Sequence, residues 1–295
     1  MATFDASKLN LPFMKYRRVA IAISLAAIVI SLLLLVVKGV NFSVDFAGGV
    51  AMQLGFESPV EVGQVRQALS DIGQGQATIQ AYDDRTVLIR YQDPGDTVRK
   101  EMIKSLEEQF GPVTIQKVDT VGPVVGRELR KQAFIAVSMA IAGILIYMAF
   151  RFSFRFGVAA VVSLVHDSII MLGIYSLTGR EISTSFIAAI LTVIGYSLND
   201  SIVVLDRIRE NWGQLRTQGI LDLVNRSINQ TLSRTINTSV TTLLPVLAMF
   251  FLGGEVISNL AFAFLIGIVV GTYSSIYIAS AVLAEWYLKR SEPAK

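Results

Sequence analysis

Ile182-Ser183-Thr184-Ser185-Phe186-Ile187-Ala188-Ala189-Ile190-Leu191-Thr192-Val193-Ile194-Gly195-Tyr196-Ser197-Leu198-Asn199-Asp200-Ser201-Ile202-Val203-Val204-Leu205 holds one charged side chain in 24 residues. At ~1.5 Å per residue such a run spans the ~30 Å hydrocarbon core of a bilayer as a helix. Five further runs approach or exceed the spanning length: Val19–Val37, Ala133–Phe150, Gly157–Leu177, Leu232–Leu252 and Asn259–Leu283. The composition agrees. Of 295 residues, 53% are hydrophobic and only 17% charged, against about 25% charged in a soluble domain. Cys is absent and His166 is the one histidine, which excludes thiolate nucleophiles, disulfide scaffolds and His-rich metal motifs.

The expected fold is therefore an α-helical polytopic membrane protein of six transmembrane helices, with a small domain between helices 1 and 2. The first run follows Lys15, Arg17 and Arg18, but it is longer than a signal h-region and lacks a cleavage site. It reads as an uncleaved anchor. Basic residues set the orientation. Lys8, Lys15, Arg17, Arg18, Arg151, Arg155, Arg207, Arg209, Arg216, Arg226, Lys289, Arg290 and Lys295 fall on one side, whereas the short loops of the other side carry only Arg180. The positive-inside rule then places segment 1–18 and the tail 285–295 in the cytoplasm, and the long segment 38–132 outside.

Segment 38–132 is long enough for one small domain. Gly49–Phe56, Ala77–Tyr82, Thr86–Tyr91 and Val113–Val121 read as strands. Ser58-Pro59-Val60-Glu61 resembles a capping box that opens a helix through Leu69, and Asp96 opens a second helix ended by Gly111-Pro112. The order β-α-β-β-α-β is ferredoxin-like. No catalytic constellation is present in it, and an open sheet of this kind suits the binding of a chain or subunit.

Ionisable groups at membrane depth are costly unless they face a partner or water, so they are the candidate functional residues. Asp167 follows His166 in the third run; Asp200 lies seven residues before Arg207, and Arg234 lies near the start of the fifth run. Antiparallel fourth and fifth spans would bring Asp200 and Arg234 to similar depth. Two readings stay open: a structural ion pair, or a proton-coupling set in which one acid lacks a full charge partner. Ser197, Asn199 and Asn237 are supporting polar residues, as is His166, as a hydrogen-bonding group or a relay. Gly267 and Gly271 form a GxxxG for helix packing. In loop 206–231, Ile220, Leu221, Leu223, Val224 and Ile228 share one side, the pattern of a helix lying on the inner membrane face. Phe152, Phe154, Trp286 and Tyr287 read as interfacial anchors.

Five stretches, taken in order, carry a resemblance. They are Asn41-Phe42-Ser43-Val44-Asp45-Phe46-Ala47-Gly48-Gly49; Val121-Gly122-Pro123 with Gly126-Arg127-Glu128-Leu129; Leu164-Val165-His166-Asp167; 194–211; and Ile228-Asn229-Gln230-Thr231-Leu232-Ser233-Arg234-Thr235. From about Phe13 to Trp286 the chain resembles the SecF family, membrane subunits of SecDF protein-export complexes in the resistance-nodulation-division superfamily. The resemblance implies a SecF-like subunit of the bacterial cytoplasmic (inner) membrane. It implies a SecD-like subunit as heterodimeric partner, the SecYEG channel and the exported unfolded polypeptide as further partners, and the proton-motive force as driver. It also places Asp200 and Arg234 at the family's intramembrane acid and base, and Asp167 at a motif position. Membrane lipid surrounds such a chain; no nucleic-acid partner, metal, cofactor or hydrolytic chemistry is expected, and residue types alone leave H⁺ and Na⁺ open as coupling ions. The alternatives are a proton-driven small-molecule or lipid exporter of the same superfamily and a purely structural translocon subunit.

Overall fold

A computed structural model describes residues 11–92 and 96–291; Lys8 and Lys295 lie outside the described residues. Six helices among the described residues are long and apolar enough to cross a membrane: Phe13–Val37, Pro123–Arg151, Phe154–Thr178, Thr184–Gln214, Thr217–Leu252 and Ile257–Lys289. The chain divides into two compact units, Met1–Asn41 with Ala136–Lys295, and Phe42–Ile135.

In the smaller unit, a short helix α2 (Val44–Ala47) precedes β1 (Gly49–Phe56), α3 (Val62–Asp71), β2 (Thr78–Ala81), β3 (Thr86–Tyr91), α4 (Asp96–Phe110) and β4 (Val113–Val121). The antiparallel sheet runs β2-β3-β1-β4, the ferredoxin-like arrangement. Alternate β1 side chains Val50, Met52, Leu54 and Phe56 meet Val65, Ala68 and Leu69 of α3 and Met102 and Leu106 of α4 in one buried cluster. Gly48 and Gly49 have φ of +76° and +112°, and a Cβ on Gly49 would sit 2.6 Å from the Tyr91 carbonyl oxygen. Only glycine fits there. The helix expected from Pro59 begins three residues later. Val60 N–H donates to Asp84 O, so this backbone is held extended by the β2–β3 turn, and Glu61 is an N-cap without a side-chain cap bond.

The larger unit contains α1 (Arg17–Val37), most of α5 (Pro123–Arg151), α6 (Phe154–Thr178), α7 (Thr184–Glu210), α8 (Leu215–Leu252) and α9 (Gly254–Ser274). A π-helical segment, Ser275–Ala279, joins α9 to α10 (Ser280–Ser291). Small residues set its closest contacts. A Cβ on Gly173 of α6 would lie 2.2 Å from Ser31 Oγ of α1, and one on Gly267 of α9 would lie 2.4 Å from Val193 of α7. Close approach of this kind is how helices associate where lipid removes the hydrophobic drive.

The amphipathic stretch differs from expectation. After a 3₁₀ turn at Asn211–Gln214 the chain is helical from Leu215 and breaks at Gly219, whose φ of 74° and ψ of 162° are not helical. From Ile220 it runs as a single helix into the fifth span, so that α8 is two helices joined at a kink. Ile220, Leu223, Val224 and Ile228 are buried with Phe13, Met14, Val204, Leu205, Ile208 and Leu283. Its apolar stripe is covered by protein. Phe152 and Tyr287 are likewise drawn inward, Phe152 stacking on Phe156 and Tyr287 packing on Trp212, whereas Phe154 is exposed.

Candidate functional site

The two membrane-depth acids are equally hidden, each 2% exposed, yet differently served. Asp167 stands midway along α6. Its Oδ2 accepts from Ser197 Oγ of α7 at 2.7 Å and from Ser274 Oγ of α9 at 2.8 Å, and its Oδ1 is 2.9 Å from His166 Nδ1. Ser197 and Ser274 are fully buried. Three donors on one carboxylate satisfy the condition under which a buried anion is tolerated. Gly271 makes the arrangement fit, since a Cβ there would be 2.9 Å from Ser197 Cβ. His166 Nε2 is buried without a hydrogen-bond partner, and its ring lies 6.2 Å from that of Tyr273. Tyr273 in turn donates to Ala20 O of α1.

Asp200, one turn beyond Ser197 on α7, is barely held. Thr238 Oγ1 of α8 approaches Oδ1 at 3.5 Å, the outer limit of a hydrogen bond, and Oδ2 has no partner. Asp200 and Arg234 do not form an ion pair among the described residues, although α7 and α8 are packed neighbours. Arg234 is exposed, as are Asn199 and Asn237, so the pairing that antiparallel spans permit is not made within this chain. Tyr196 OH, Ser201 Oγ and Thr235 Oγ1 are further buried polar atoms of α7 and α8 without partners. Among the described residues no cluster of three His, Cys, Asp or Glu side chains could hold a metal.

Chemically, Asp200 offers a carboxylate oxygen that carries no hydrogen bond, on which a proton can settle, whereas both oxygens of Asp167 are already engaged, with three donors on about four lone-pair sites. Of the polar residues singled out from sequence, the structure joins Ser197 and His166 to Asp167. Asn199 and Asn237 are joined to neither acid. Ser274 was not anticipated. Its signal was the small polar cluster Ser274-Ser275 and Ser280 in an apolar run, three residues after Gly271.

Comparison with known proteins gives one consistent result. Residues 101–289 match the family model of the C-terminal region of the protein export membrane proteins SecD/SecF, and residues 33–60 match the SecD/SecF GG motif. Protein translocase subunit SecF of Desulfurispirillum indicum is 45% identical over 295 residues, covering 96% of this chain and 94% of that protein. SecF of Pseudomonas aeruginosa is 42% identical, covering 92% and 90%. The single-chain SecDF of Thermus thermophilus is 48% identical over 262 residues, 35% of its own length. The crystal structure of that species' SecDF, a translocon-associated membrane protein, superposes with a TM-score of 0.90 at 44% identity, over 96% of this chain. A SecDF structure in a super-membrane-facing form gives 0.72 at 45% identity. The chain spans 39% of each of those two SecDF chains.

Proposed function

The chain belongs to the SecD/SecF family of protein-export membrane proteins, and on that premise we propose that it works with a SecD-like partner to assist late steps of export, using the proton-motive force. It acts as an accessory subunit beside a SecYEG-type channel, without hydrolytic chemistry of its own. It sits in the bacterial inner membrane with both termini in the cytoplasm, as the basic side of its loops indicates. The partner closes the face of α7 and α8 on which Arg234, Asn199 and Asn237 are exposed, since lipid does not accommodate such groups cheaply. Pseudo-symmetric transporters build their sites at such repeat interfaces. The small α/β unit handles the emerging polypeptide.

The observation that carries the reading is Asp200 Oδ2, buried at membrane depth with no partner in the chain. Proton arrival and departure there changes the charge that α7 presents to α8 and Arg234, which gives a gradient something to move. The coupling ion is H⁺ in this reading. The test is export from intact cells carrying Asp200→Asn, at matched level and with the partner subunit co-purifying. Export is expected to fall to the rate of a strain lacking the subunit and to stop responding to an uncoupler. Normal, uncoupler-sensitive export overturns the assignment, and export that follows the Na⁺ gradient overturns the ion.

A further inference from the structure

Asp167 is buried, charged and central, yet its geometry is that of a fastener rather than a carrier. Its side chain joins three helices. It rises from α6, receives Ser197 of α7 on one side and Ser274 of α9 on the other, and keeps His166 beside it. Ser197 is three residues before Asp200, so the bond to Ser197 fixes the rotation of the α7 turn that presents Asp200 to α8. Ser274 is the last residue of α9 before the π-helical segment Ser275–Ala279. A π turn is a local irregularity that helices retain chiefly at working sites, and here one end of it is pinned by a carboxylate.

From this we infer that Asp167 is a positioning residue: its carboxylate clamps Ser197 and Ser274 together and thereby aims Asp200, without itself exchanging the transported proton. The inference rests on the reading that Asp200 takes that proton. It separates Asn from Ala at position 167 in a way a proton carrier does not. An Asn side chain keeps one oxygen to accept both serines and offers an N–H₂ to His166 Nδ1, which becomes the acceptor once the ring proton moves to Nε2. The clamp survives, and the titratable group is gone. Ala leaves Ser197, Ser274 and His166 without their common acceptor in a buried place.

The chain is naturally free of cysteine, which permits a readout independent of activity. Ser201 is 0% exposed on α7, one residue past Asp200. Ser201→Cys is introduced into the full chain, co-expressed with its partner subunit, and alkylation by a membrane-permeant maleimide is followed in parallel with export. Asp167→Asn is expected to keep at least about half of the parental export rate, with an unchanged pH profile and a protected Cys at 201. Asp167→Ala is expected to lose at least about tenfold in export, the scale of one buried donor left unmet, and to raise alkylation several-fold. Should the Ala variant not accumulate, Ser197→Ala with Ser274→Ala in one chain opens the same clamp while retaining the carboxylate, and the same rise in alkylation is expected. Asp167→Asn as inactive as Asp200→Asn, with Cys at 201 still protected, overturns the inference by making Asp167 a carrier. Parental export and protection in both the Ala variant and the double-serine variant overturn it by showing that nothing is aimed. If Asp200→Asn exports normally, the proton reading fails instead, and the alkylation pattern still decides whether Asp167 clamps α7.

Discussion

Asp167 and Asp200 sit on adjacent helices of one bundle, equally buried, and only the hydroxyls around them distinguish their work. Asp167 gathers three donors from its own neighbour and from two other helices, whereas Asp200 has one contact at the limit of bonding and an oxygen with none. A carboxylate with both oxygens held by donors holds structure; one with an oxygen left unengaged is available for exchange. Burial therefore says that a charge matters, and hydrogen-bond satisfaction says how.

Three measurements test that contrast, beyond the Asp200 and Asp167 series. The largest expected effect is Gly271→Ala, whose new methyl would drive α9 off Ser197. Overpacking of this kind costs about 1–3 kcal/mol, to which displacement of Ser197 from Asp167 adds the loss of that hydrogen bond, and thermal unfolding of the purified complex measures the sum. Gly143→Ala on α5, where a Cβ meets nothing within 4 Å, is the control and leaves the midpoint unchanged or raised. Equal losses at both positions would show that the Asp167 side is no tighter than a lipid-facing helix.

Next comes the pair Ser197→Ala and Thr238→Val. Removing a donor from a well-made bond to a buried carboxylate costs about 1.5–3 kcal/mol, while removing the distant Thr238 hydroxyl costs about 0.5 kcal/mol. Reversal of that order in the same unfolding assay would mean that Asp200 is the better-held acid.

The smallest effect belongs to a carboxylate in water. Asp83, in the turn between β2 and β3, accepts the Arg85 backbone N–H at 2.7 Å, and that bond chiefly holds its carboxyl below the usual range. A depressed folded value means that its contribution to stability is present above the unfolded carboxylate range and is lost as pH falls through the folded value. Asp83→Asn is expected to flatten the acid limb of the melting curve slightly, with no change at pH 7 in export. A clear effect on export would give the α/β unit a charged role that its geometry does not suggest.

Much of this molecule was legible in its sequence. The six apolar runs and the β-α-β-β-α-β order follow from length and periodicity, because a spanning helix must satisfy its own backbone and a half-buried strand must alternate. The positions of Asp167, Asp200 and Arg234 were equally visible, since charges in apolar runs stand out. The capping-box pattern at Ser58 misled because a competing backbone partner, Asp84 O, held Val60 extended. The apolar face of loop 206–231 is real, but periodicity cannot say whether protein or lipid covers it, and here Phe13, Met14 and Leu283 do.

What the amino-acid sequence determined by itself is thus the number of spans, the presence of an α/β unit between the first two, and the short roster of buried charges. Each follows from a local rule about solvation. The tertiary structure alone decided which hydroxyl meets which carboxylate. Ser274 is 107 residues from Asp167 and Ser197 is 30, and no spacing announces either contact. They arise from helices brought close at glycines such as Gly271 and Gly267, where packing fixes rotation and rotation chooses the hydrogen-bond partner.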